Sequence, residues 1–206
     1  WLLLWIEPAQ VYTVIGLMSC AIFAPVLLLS ERPRPVARTL SIGRHFSQAL
    51  VSGFRTPGLW LGGILEATVY VALYAMKAFL PIYALSIGVN VALIGTFFAA
   101  QELVVAAAKP YGGRIGDRYG YLQATAFGMV ILGMALTLLS LWSGTVELFS
   151  LAIVLGAGQA LVFPSTTALI AVQIDSGHVG AGMGLFGTLQ NGGKVVGPIL
   201  GGLLVG

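Results

Sequence analysis

Six apolar runs, each about the length a helix needs to cross a bilayer, follow one another along the chain: Val11 to Ser30, Leu59 to Ile82, Val91 to Lys109, Leu122 to Trp142, Leu148 to Ile174 and Gly180 to Gly206. Turn or polar residues separate them. Hydrocarbon offers no water to an unpaired backbone group, so each run must satisfy its own N–H and C=O groups as a helix. A spanning barrel needs short strands of alternating polarity, and these runs do not alternate. With 58% hydrophobic and only 8% charged residues, and a mean hydropathy of +0.96, a soluble domain of this size is excluded. The sequence predicts an all-α integral membrane protein, a polytopic helical bundle whose first partner is the lipid bilayer.

The chain starts at Trp1 without a methionine and stops at Gly206 inside an apolar run, so it is expected to be a piece of a longer polypeptide. Trp1 to Ile6 reads as the stump of an earlier span or as an interfacial segment, and no leader can be judged. The single cysteine, Cys20, lies in an apolar run. It supports neither a disulfide framework nor a cysteine metal site, and no cofactor or metal is expected.

Basic residues set the orientation. Arg32, Arg34, Arg38, Arg44 and Arg55 lie between the first two runs, and Lys109, Arg114 and Arg118 between the third and fourth, whereas the connections Ser86 to Asn90 and Ser143 to Glu147 carry neither Lys nor Arg. By the positive-inside rule the two basic connections are cytoplasmic. The net charge of +3 is thus a topology signal, and nucleic acid is not an expected partner. In the stretch from Glu31 to Pro57, Pro33 and Pro35 stop the first helix. Leu40, Phe46, Leu50 and Phe54 can then share a helical face on the membrane surface, although a disordered linker is the other reading. His45 and His178 fall in cytoplasmic connections, where a surface role suits them.

Ionisable and polar groups inside spans are expensive and usually face a partner or a water-filled cavity. Glu66, Tyr70, Tyr74 and Lys77 follow at four, four and three residues and form one stripe along the second run. Glu66 and Lys77 lie about 16 Å apart along a helix axis, so each needs its own partner, and Lys77 can alternatively snorkel to the interface. Glu102, next to Gln101 in mid-run, is the first choice for a proton-titrating carboxylate, with a structural acid as the other reading and Glu66 as the fallback. Gln159, Gln190, Asn191 and Lys194 can line a cavity, and Lys194 can instead pair with a carboxylate to hold helices together.

Two glycine motifs are more specific. Gly113-Arg114-Ile115-Gly116-Asp117-Arg118-Tyr119-Gly120 is expected to make a tight reversal between two spans, with Asp117 accepting from Arg118 or from a neighbouring helix N-terminus. It resembles the G-x-x-x-D-R-x-G loop of the major facilitator superfamily, in which the acid helps latch the two six-helix halves in one alternating-access state. Tyr121 and Leu122 stand where the stronger copy of that motif has basic residues, which favours the C-terminal copy. The last run carries Gly193-x-x-x-Gly197-Pro198-x-x-Gly201-Gly202, similar to the G-x-x-x-G-P-x-x-G-G motif of drug and proton antiporters. That motif belongs to helix five in the family, whereas this copy falls in helix eleven. As plain physics it is a smooth stripe for close helix packing. Gly95, Phe97 and Gln101 share a spacing with Gly184, Phe186 and Gln190, an echo of the family's inverted repeats.

The resemblance implies a major facilitator fold with about six of an expected twelve transmembrane helices, in the bacterial inner membrane. Residues 1–30 would end the N-terminal half, 31–57 form the cytoplasmic interdomain loop, and 58–206 make the C-terminal half short of its last helix, with the missing N-terminal half as partner. It implies a secondary transporter working with a small-molecule substrate and with protons or another coupling ion. Drug or metabolite efflux leads, with ion-coupled nutrient uptake second and a non-transporting sensor or scaffold as the reading from another class. No Gly-x-Gly-Asp, His-Glu-x-x-His, Gly-x-Ser-x-Gly or phosphate-loop arrangement occurs, so an enzyme is not expected.

Overall fold

The computed structural model describes residues 8–26, 56–142, 144–174 and 179–205. They form six helices: α1 Pro8–Val26, α2 Pro57–Ser86, α3 Val91–Tyr119, α4 Tyr121–Leu139, α5 Thr145–Gln173 and α6 Val179–Val205. The surface helix expected between Glu31 and Pro57, together with His45 and His178, lies outside the described residues. The chain divides into two units, Trp1–Leu40, which contains α1, and Ser41–Gly206, which contains α2 to α6.

Local chemistry sets the helix ends in the second unit. Thr56 is extended and Pro57 supplies the pre-set φ of a first helical position. After α2 the chain turns through Gly88 at φ +76°, and the Asn90 side chain accepts from the Ala92 N–H at 2.9 Å to start α3. Pro81, Pro110, Pro164 and Pro198 lie inside helices; the backbone bonds they forgo are tolerated in spans that pack against neighbours.

The third run extends well past its expected end at Lys109. Helix α3 continues through the whole glycine motif to Tyr119, and the reversal is confined to Gly120 at φ +100°. One left-handed residue suffices to redirect the chain, and the side-chain-free conformation it needs is available there only to glycine. Of the upstream glycines, Gly112 and Gly116 are used instead for packing. A Cβ at Gly112 would collide with the backbone of Ala160 on α5.

Helix α5 sits centrally, packed on α2, α3 and α4, while α6 lies along α2. Leu73 and Met76 of α2, Phe97 of α3, Leu132 of α4 and Leu148 and Leu155 of α5 belong to one buried cluster. Leu59, Ile170 and Phe186 form a smaller one beside α6. Close approach is made by glycines: Gly156 of α5 faces the Gln101 carbonyl of α3, and Gly158 faces Leu132 and the Gly128 carbonyl of α4. Opposite its buried face, α4 exposes Phe127, Val130, Met134 and Leu138. Large apolar side chains turned outward along a whole helix suit lipid.

Helices α2, α3, α4 and α5 are long and apolar enough to cross a membrane. The sequence predicts six spans. Helix α6 has the length, at 27 residues, but its glycines and the Gln190, Asn191 and Lys194 cluster lower its hydropathy, and in α1 the apolar stretch is Tyr12–Ala21.

Candidate functional site

Along α2 the side chains of Glu66, Tyr70, Tyr74 and Lys77 do form one stripe, and three other helices meet it. Glu66 is buried, 1% exposed. Its Oε1 accepts from Gln190 Nε2 of α6 at 2.8 Å, and its Oε2 accepts from the Thr166 hydroxyl of α5. The same hydroxyl reaches the carbonyls of Val162 at 3.0 Å and Phe163 at 3.1 Å in its own helix. Thr166 has one proton to give and three acceptors within reach.

One turn along, the Tyr70 ring stacks on Phe163 of α5 with centroids 5.1 Å apart and meets Tyr74 edge-on at 5.9 Å. Lys194 of α6 places its Nζ 4.7 Å from the Tyr70 centroid and 6.0 Å from that of Tyr74, and donates to Asn191 Oδ1 at 3.0 Å. Of the two roles open to Lys194, the carboxylate pair is not formed among the described residues.

Lys77 lies 5.6 Å from the Tyr74 centroid and donates to Glu102 Oε1 of α3 at 2.9 Å. It therefore pairs across two helices instead of snorkelling. The position of Glu102 differs from the expectation of a carboxyl enclosed in the bundle: its side chain is 56% exposed. Its neighbour Gln101 is the one turned inward, fully buried, with neither amide atom hydrogen-bonded among the described residues. Adjacent positions on a helix point about 100° apart, so only one of the two can face the interior. Gln159 is buried and donates to Leu155 O of its own helix at 3.3 Å, so neither glutamine joins the stripe.

Thr166 and Phe163 were not singled out from sequence. The signal available was Ser165-Thr166-Thr167, three consecutive hydroxyls inside an apolar run.

At the other motif, Asp117 accepts from the Tyr121 hydroxyl at 2.9 Å, not from Arg118, whose guanidinium lies 5.4 Å from the Tyr119 centroid. A Cβ on Gly116 would approach Ser165 Oγ at 2.9 Å and the Tyr121 ring at 3.0 Å, whereas Gly113 faces open space. In the last motif, Gly193 lies against the Ala67 carbonyl, Gly197 against that of Val71, and Gly201 and Gly202 against the Phe79 ring. The α6 backbone thereby rides directly on α2, and this crossing brings Gln190 and Lys194 to the stripe.

The family model described as Major Facilitator Superfamily matches residues 62–206, which includes every residue of this stripe and both glycine motifs. The chain belongs to the major facilitator superfamily. Among its relatives, the multidrug resistance protein MdtG of Serratia proteamaculans is 32% identical over 157 residues, that of Dickeya zeae 32% over 153, and that of Escherichia coli O1:K1 33% over 153. Each match covers 70% of this chain and 36% of the relative, so the chain spans about a third of the length of the relatives it matches. Within the superfamily it is a multi-pass helical membrane protein, and with relatives of this bacterial origin its place is the inner membrane.

Proposed function

We propose that this major facilitator chain is part of a secondary active transporter that moves a small organic solute by alternating access, driven by protons, in the direction of drug or metabolite efflux. The relatives named as multidrug resistance proteins support efflux over uptake. Residues 58–206 would serve as one half of the transporter, with substrate held between it and the other half near the midplane.

The observation that carries the reading is the buried carboxyl of Glu66, gripped by side chains from two other helices. An ionised Glu66 accepts from both Gln190 and Thr166. A protonated Glu66 can donate to Thr166 Oγ1, whose own proton then turns to the Val162 or Phe163 carbonyl. Either state keeps both oxygens of Glu66 and the Thr166 hydroxyl paired, and an unpaired one would be costly. The geometry thus favours Glu66 over Glu102 as the proton carrier, because Glu102 is exposed and already engaged by Lys77. Gln101 and Gln159 are left as packing residues.

Counterflow and pH-jump uptake in proteoliposomes of the full-length protein test this directly: an imposed proton gradient should accelerate movement of a hydrophobic dye, and indifference to the gradient would remove proton coupling. For the loop motif, Asp117→Asn should insert normally but shift the balance of inward- and outward-facing states. Spin-label distance distributions across the two membrane faces would show it, and unchanged distributions would dismiss the latch role. A cysteine at Arg114 should label only from the cytoplasmic side; labelling from outside in intact cells would invert the proposed orientation.

A further inference from the structure

We infer that the Lys194 ammonium, set beside Tyr70 and Tyr74, is a subsite for the anionic group of a flat aromatic substrate. This rests on the transport reading above and specifies which solutes the site takes. A lysine within a span needs compensation for its lost hydration. Lys77 obtains it from Glu102 at 2.9 Å. Lys194 lacks a carboxylate at ion-pair distance among the described residues; beside it stand Asn191 and two aromatic rings, and Glu66 acts on it only through space. An ammonium has three donors, and one is used on Asn191. The acid on the stripe, Glu66, directs its two oxygens to Gln190 and Thr166 and makes no direct ion pair with Lys194.

The surroundings add shape to charge. Tyr70 and Phe163 are stacked at 15° between planes and 5.1 Å between centroids, and Tyr74 stands edge-on to Tyr70 at 67°, so an apolar ring can join an existing aromatic surface. Tyr70, Tyr74, Phe163, Lys77 and Lys194 are partly exposed and Asn191 is exposed, which leaves the subsite open to a solute. The Lys194 ammonium itself disfavours a cationic head there, whereas Lys77, 5.6 Å from the Tyr74 ring, is neutralised by its pair with Glu102.

Two permanently charged probes of matched size decide the matter: 1-naphthalenesulfonate and trimethyl(1-naphthyl)ammonium, measured by equilibrium binding to the full-length protein in nanodiscs. The wild type should prefer the sulfonate. Lys194→Gln should weaken sulfonate binding by about tenfold, the scale of one charge-assisted hydrogen bond, Lys194→Arg should keep it, and Lys194→Glu should turn the preference toward the ammonium. A wild-type preference for the ammonium, binding of neither probe, or an unchanged ratio in Lys194→Gln would overturn the inference. So would a Lys194→Gln protein of lowered thermal stability that loses both probes equally, since that marks a structural ion-pair lysine. Sulfonate binding with the expected variant pattern but no counterflow of either probe would uphold the subsite while rejecting the transport reading.

Discussion

Replacing Glu66 by Gln should abolish proton-driven accumulation, to the level of protein-free liposomes, while leaving downhill exchange of the same solute measurable. Glutamine keeps the shape of the side chain and its bonding capacity toward Gln190 and Thr166, so the helices remain tied. What it removes is the ability to take up and release a proton, and with it the link between the gradient and the change of state. Thr166→Ser, which retains a hydroxyl, should behave as wild type, whereas Thr166→Val should slow gradient-driven movement because a protonated Glu66 would lose its acceptor. Glu102→Gln breaks only a half-exposed pair with Lys77 and should retain gradient dependence, with a loss of stability of no more than about 1 kcal/mol. The measurement is solute uptake after a pH jump, beside exchange at equal pH. Wild-type accumulation in Glu66→Gln with loss in Glu102→Gln would return the coupling role to the exposed acid.

The largest structural effect is expected at Gly193 in α6, with its neighbour Gly192 as the control. Gly193→Ala places a methyl into the Ala67 backbone of α2, where the Ala67 Cα and carbonyl carbon would lie 3.0 Å away. Backbone cannot rotate aside as a side chain can, so the helices must separate, at about 2 to 3 kcal/mol. Gly192→Ala meets nothing within 4 Å and should be neutral or gain up to about 1 kcal/mol from helix propensity. Thermal unfolding of the detergent-solubilised protein, followed by loss of its monodisperse peak, ranks the two. Equal behaviour would mean that α6 does not ride on α2 at this point. Because Gln190 and Lys194 flank Gly193, its variant should also weaken binding at the stripe, which Gly192→Ala should leave intact.

Much of this protein follows from sequence because the bilayer allows a long apolar run few options. Each described run became a helix because backbone groups in hydrocarbon must pair within their own segment. The glycine stripe of α6 and the polar stripe of α2 were legible from spacing alone, since residues three and four apart share a face whatever surrounds them. Spacing does not say what a face meets. Lipid and protein core are equally apolar, so a membrane helix carries little record of its own rotation. Hence Gln101 and Glu102, side by side in the sequence, could not be sorted into inside and outside until α5 was seen packed against α3. The partners of Glu66, at Thr166 and Gln190, are 100 and 124 residues away, and no local period connects them. They meet because Gly193 and Gly197 let α6 close onto α2 while α5 fills the centre of the bundle. The sequence determined helices, faces and membrane; the crossings permitted by particular glycines decided which polar groups became a site.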